Sequence, residues 1–214
     1  MTTDSLKQQI RIALDQNNVS TQLAAISDID TLTLEQIIDS KLEEAARRVL
    51  LVAPYRLAGS GKKIPDETSV TWESQAGYGA GSILLPSDFL RLLYFKMSDW
   101  NQPVYQVISV DEPLYRVQQS RFGGVRGNPQ RPVCAIVPGS NGLVLEFYSC
   151  TGGADVNISD ARYLAIPKIV GNEIDIPPML ERAVIYKAAR LVASTVGEND
   201  KAAVLEALCD ENMI

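Results

Sequence analysis

Apolar residues recur at helical spacing at both ends of the chain, and they cluster in short β-rich runs through its middle. Leu6, Ile10, Ala13 and Leu14 predict a short first helix, with Asp4 as its cap. A longer helix is predicted from Thr33, because Leu34, Ile37, Ile38, Leu42, Ala45, Ala46, Val49 and Leu50 form one stripe. Glu43 with Arg47, and Glu44 with Arg48, are acid-before-base pairs four apart. Pro54 marks the end of this helix. Near the C-terminus Pro177 and Pro178 open an Ala-rich helix, Gly197 stops it, and a second amphipathic helix follows at once.

Between about Gly59 and Asp175, Gly and Pro become frequent and the pattern turns strand-like. Strands are predicted at Val70–Trp72, Ile83–Leu85, within Pro86–Met97, at Val104–Ile108 and at Arg162–Ile166. Gly77–Ser82 reads as a turn or flexible loop, Pro113–Gln119 as a helical turn and Arg121–Pro129 as a loop. The clearest hairpin joins Val133–Val137 to Leu143–Tyr148 through Pro138–Gly142. The expected fold is α+β: terminal helices forming a small bundle, with a strand-rich antiparallel insertion. The expected parts are 1–58 (helical), 59–175 (β-rich) and 176–214 (helical, packing with the first).

At 214 residues the chain can hold one core, or one core and a satellite module. Its net charge of −6 argues against nonspecific nucleic-acid binding, which needs a basic face. The N-terminus has no basic-then-apolar signal pattern, and no apolar run is long enough to span a membrane. Cys134, Cys150 and Cys209 are odd in number and scattered, which fits free thiols in a cytoplasm.

Catalytic equipment is sparse. There is no histidine, which removes His-based nucleophilic sites and the commonest metal ligand. Gly59–Lys63 imitates a phosphate loop, but Arg56 and Lys63 stand where the motif needs Gly and Ser or Thr; it reads as a soluble linker. Asp28 and Asp30, and the Asp155–Asp160 stretch, lack the Gly and terminal Glu of a calcium loop; they read as local capping and as a polar turn. Glu73, Glu112, Glu146 and Glu173 are carboxylates that sequence cannot bring together. Trp72, Tyr78, Trp100, Tyr105 and Tyr115 read as core or sheet-face residues rather than a base-stacking platform. No enzyme activity, cofactor or metal is expected.

One local contrast stands out. Arg116, Arg121, Arg126 and Arg131 gather around a Gly-rich loop in an acidic chain. They suit an acidic neighbour or a phosphate backbone, or are ordinary solvated arginines.

Three stretches together resemble the head–tail connector, or adaptor, proteins of tailed bacteriophages. The first is Leu85–Leu92 with Met97–Trp100 and Pro103–Tyr105. The second is Arg126–Val133, leading into the hairpin that ends Leu145–Tyr148. The third is Leu180–Leu191, closed by Gly197–Asn199. The likeness covers most of the chain from about residue 83 and is one of texture and order. Short-tailed phages, including the crAss-like group, look closest.

The resemblance implies a structural virion protein, made in the host cytoplasm. It implies a twelvefold homo-oligomeric ring beneath the portal, joining capsid to tail and extending the DNA channel. DNA would pass without specific binding, and no membrane is involved. Partners would be the portal and an adjacent neck ring, tail or fibre protein. Helices would pack between neighbours or against the portal, which makes Leu180, Val184, Lys187, Arg190 and Leu191 a candidate assembly helix. A terminal segment would order on docking, with Gln16–Asp30 and Cys209–Ile214 both open as candidates. The alternative is a tail or fibre-attachment adaptor whose β module docks a receptor-binding protein.

Overall fold

The computed structural model describes residues 2–14, 33–65, 68–73, 79–120, 122, 124–151 and 155–214. Gln16–Asp30, Asp28, Asp30, Gly77, Tyr78 and Arg121 lie outside the described residues. The fold is α+β, with helices at both ends and strands in the middle. Among the described residues, no helix is long and apolar enough to cross a membrane.

The chain divides into two compact units: 1–59 with 166–214, and 60–165. The helical unit is built on α1 (Thr3–Ala13), α2 (Leu34–Val52), α4 (Glu181–Thr195) and α5 (Asn199–Glu211). Every apolar residue predicted for the α2 stripe is buried. Thr33 caps α2 reciprocally: its hydroxyl accepts the Gln36 N–H, and the Gln36 side chain accepts the Thr33 N–H. Glu44 pairs with Arg48 as predicted. Glu43 does not reach Arg47, and instead accepts the backbone N–H of Ile169 at 2.8 Å.

Thr2, not Asp4, precedes α1, and it makes no side-chain cap. Asp4 accepts from the Asn172 side chain at 2.6 Å. That bond ties α1 to a small hairpin, β8 (Ile169–Val170) with β9 (Glu173–Ile174), which sequence pattern did not show. Lys7 to Asp39 (2.7 Å) and Arg11 to Glu35 (3.0 Å) join α1 to α2.

Pro178 opens a 3-10 turn, Pro178–Leu180, rather than α4 itself. Gly197 then has φ +86, as the stop signal required. The Glu198 N–H returns to the Ala193 carbonyl (2.9 Å) and the Gly197 N–H to that of Ser194 (3.4 Å), closing α4 before α5 begins.

The strand unit carries two antiparallel sheets. One has the order β1 (Lys62–Lys63), β7 (Ile158–Ala165), β4 (Phe89–Met97). The other has the order β2 (Thr71–Trp72), β3 (Gly79–Leu84), β6 (Gly142–Cys150), β5 (Cys134–Gly139). Phe89, Leu92, Phe95 and Met97 of the first share one core with Ile83, Cys134, Leu145 and Phe147 of the second. The Phe95 and Phe147 rings stack at 5.9 Å.

Two predicted elements are corrected. Gly79–Ser82 is strand, not loop, because Gly81 faces Phe147 across the ladder and its missing side chain leaves room for that ring. Val104–Ile108 is not a strand. Val104 bridges to Phe95 in the first sheet and Ile108 to Ala135 in the second, so the run crosses between them. In addition, Ile158–Asp160 belongs to β7, so Asp155–Asp160 leads into a strand instead of forming a free polar turn.

Candidate functional site

Strand alternation places the site. Leu145 and Phe147 of β6 enter the shared core, so Glu146 and Tyr148 point to the opposite face. There a second, smaller apolar cluster forms from Ala80, Ala135 and Tyr148, with Ile108, Tyr115 and Val137 packed on it. The segment from the short helix α3 (Pro113–Val117) to Val133 holds the predicted arginines and is anchored by Gln118, Arg126 and Val133.

Gln118 is fully buried although it is polar. Its amide nitrogen donates to the Leu114 carbonyl at 3.0 Å, and its oxygen accepts the Gly127 N–H at 2.8 Å. Both partners are needed, since a buried unsatisfied amide is costly. Arg126 donates to the Tyr148 carbonyl at 2.8 Å. The equally buried Ser149 hydroxyl accepts the Val133 N–H at 2.8 Å. Asn128 closes the turn by accepting from the N–H groups of Gln130 (3.0 Å) and Arg131 (3.1 Å).

The arginines therefore divide. Arg126 is half-buried and holds the loop to β6. Arg116 and Arg131 are exposed. Arg121 lies outside the described residues. The same segment carries apolar side chains that the fold leaves open: Phe122 is 75% exposed, Val125 57% and Leu114 44%. A cleft of ≈ 350 Å³ runs among Leu114, Val125, Arg126, Asn128 and Arg131. Arginine and aromatic residues over a rigid base are a composition typical of protein interfaces.

Sequence reasoning missed Gln118, Gly127 and Ser149. Gly127 alone carried a signal, as part of a Gly-Asn-Pro turn. A Cβ on Gly127 would collide with the Ser149 hydroxyl and lie 3.1 Å from the Val133 Cβ. Gly127→Ala is expected to destabilise by about 1–3 kcal/mol, the usual range for overpacking. Faster amide exchange at Gly127 and Val133, with exchange within β5 and β6 little changed, is the measurement that checks it.

The candidate assembly helix lies in the helical unit. Leu180 and Val184 are fully buried and Leu191 nearly so. Lys187 and Arg190 both bind Glu206 of α5. Half the length of α4 is buried against α1, α2 and α5, so Leu180, Val184 and Leu191 pack within the helical unit, while Lys187 and Arg190 stay partly exposed.

The other candidates have structural places. Gly59 and Gly61 both have positive φ, and Lys62–Lys63 form β1, with Lys62 on Asp88 at 2.9 Å. The boundary between the two units falls at Gly59–Ser60 and the segment is largely exposed, as a soluble linker would be; its last two residues enter a strand. Asp160 accepts the Tyr94 hydroxyl at 2.6 Å. Glu112 accepts the Ser109 N–H at 2.8 Å, while Glu73 and Glu173 are exposed. Trp72 and Trp100 pack edge-on against Phe147, Tyr105 lies against Tyr94 and Tyr115 against Tyr148. All three cysteines are buried free thiols, and burial with the neighbouring Asp99 carboxylate pushes Cys150 up to about 12. Among the described residues, no group of three His, Cys, Asp or Glu side chains is placed to hold a metal.

Glu146 accepts hydrogen bonds from Tyr115 (2.9 Å) and from Tyr148. Burial first, and these bonds second, raise both phenols, Tyr148 most. Burial and Asp88 likewise push Tyr163 up to about 12. Stability from these groups is present below pH ~10, where an unfolded tyrosine still keeps its proton. It is lost as pH rises from there through the folded values, because the unfolded chain ionises first. In a titration at 295 nm, Tyr148 and Tyr163 should stay silent at pH ~10.5 while the chain is folded. Their signal should appear on adding urea; full ionisation without urea would contradict the buried geometry.

The molecule is thus a two-unit α+β protein with an anchored basic and apolar loop. No protein-family model matches the chain, and no curated protein is significantly similar to it.

Proposed function

We propose that this chain is a structural subunit of the neck of a tailed bacteriophage. It forms a twelvefold ring beneath the portal, joins capsid to tail, and extends the DNA channel without catalysis. The observation that carries this reading is the anchored loop. It holds Leu114, Phe122, Val125, Arg116 and Arg131 toward solvent on a chain whose net charge is −6. A ring of identical subunits needs two different, complementary faces on each copy. A basic, apolar loop and an acidic body meet that requirement. Repeated negative charge around a channel also repels DNA phosphate and keeps the wall from gripping it. The order of segments that resembles the connector proteins agrees with this assignment.

The test is electron cryomicroscopy of the protein mixed with its portal and other neck components. A closed ring coaxial with the portal is the expected result. Bare portals, under conditions where other neck proteins bind, would overturn it. Binding to a fibre protein in that case would select the fibre-adaptor role.

A further inference from the structure

The two units differ in charge. Eleven Lys and Arg against sixteen Asp and Glu give the helical unit a net −5, while nine against ten leave the strand unit at −1. The contrast sharpens locally. Residues 113–133 hold four arginines and no acid. Residues 198–214 hold five acids and one lysine.

The second segment is mostly α5, and α5 has a free side. Ala202, Leu205 and Cys209 face inward, and Glu206 is held by Lys187 and Arg190 of α4. Asp200, Ala203, Val204, Ala207 and Glu211 are exposed. Their spacing of three, four, seven and eleven places them on one stripe. That stripe is small and apolar at its centre, where Val204 is 61% exposed, and acidic at both ends, with Asp210 beside Glu211. The loop has the reciprocal composition: Phe122, Val125 and Leu114 are exposed apolar side chains, and Arg116 and Arg131 are exposed basic ones.

We propose that the arginine loop of one copy docks on the outer face of α5 of the next copy. This rests on the ring reading and names its contact. Small residues on α5 let the Phe122 ring approach the helix, and the arginines reach the acids at its ends. The pairing is heterologous, since loop and helix are different surfaces, so it can repeat from copy to copy. Opposite charge sets its register and speeds encounter.

The experiment mixes two full-length variants, Val125→Cys and Val204→Cys, under mild oxidation. Both positions are exposed, and the three native thiols are buried and stay silent. The expected result is a Val125→Cys to Val204→Cys heterodisulfide in about tenfold excess over either homodisulfide. It should fall to the statistical mixture in about 1 M salt, where screening shortens to about 3 Å. It should fall equally when Arg116→Glu and Arg131→Glu are added to the loop variant. A statistical mixture at low salt overturns the proposal, even if rings form on the portal. So does a hetero-excess that survives the Arg116→Glu and Arg131→Glu changes. A charge-dependent hetero-excess without rings on the portal keeps the contact and overturns the ring reading instead.

Discussion

Phe147→Ala is expected to destabilise the strand unit by about 3–5 kcal/mol, the range for truncating a buried aromatic. Phe147 is fully buried where the two sheets meet. Its ring meets Trp72 at 5.4 Å, Phe95 at 5.9 Å and Trp100 at 6.3 Å, and it covers Gly81. Truncation would open a cavity that none of these rigid neighbours can fill, so transfer and cavity costs add. Phe147→Leu keeps most of the volume and should cost less, about 1.5 kcal/mol or below. The readout is selective, because both tryptophans of the chain lie in this unit. Tryptophan fluorescence in urea should therefore shift its midpoint down by about 2 M, taking a slope near 2 kcal/mol per M. Circular dichroism at 222 nm reports mainly α1, α2, α4 and α5, and its main transition should move far less. Coincident shifts in both probes would mean that the two units unfold as one, and would sink the separation assumed here.

The same contrast explains what the sequence made legible. The α2 stripe is complete within contiguous residues, and its start signal, Thr33 with Gln36, is local. Gly197 is legible for the same reason, since a left-handed stop depends only on its own backbone. Strand partners are not local. Gly79–Ser82 looks like a loop until Phe147, some sixty-six residues after Gly81, is placed over it. Val104–Ile108 has strand composition, but its two ends bridge to different sheets. The apolar stripe of Leu180, Val184 and Leu191 is legible as apolar. Whether it packs within the chain or between chains leaves the same signature, and the structure places it within. For the loop, four arginines read alike in sequence. Only the Tyr148 carbonyl separates the anchoring Arg126 from the exposed Arg116 and Arg131. Buried Gln118 and Ser149 carry no sequence signal, because their partners are backbone groups fixed by the fold.

Gly61→Ala should cost about 2–4 kcal/mol, which accounts physically for glycines that imitate a phosphate loop. Two terms contribute. Gly61 has φ +61, which costs an L-residue roughly 1 kcal/mol or more. A Cβ there would also sit 2.5 Å from Leu93 Cδ1 and 2.6 Å from the Tyr163 carbonyl oxygen. Leu93 is buried, and Tyr163 lies in the β7 backbone paired to β1, so neither yields cheaply; overpacking adds about 1–3 kcal/mol. Gly171→Ala separates the terms. Gly171 has nearly the same φ, +64, with open space around it, so its cost should stay near 1 kcal/mol, read by circular dichroism on the helical unit. For Gly61→Ala the tryptophan midpoint should fall. Exchange of the Ile64 N–H, which bonds the Ala161 carbonyl at 2.9 Å, should also speed up as β1 is pushed off β7. Equal costs for the two substitutions would mean that Leu93 and Tyr163 move aside freely, and the close approach of Gly61 to β7 would lose its explanatory role. Lys62→Ala is the companion control. Its ion pair with Asp88 is exposed and worth at most about 1 kcal/mol, so the change should leave stability nearly intact. The strand entry is then held by the two glycines and the β1 to β7 ladder, with the Lys62 to Asp88 pair a minor addition.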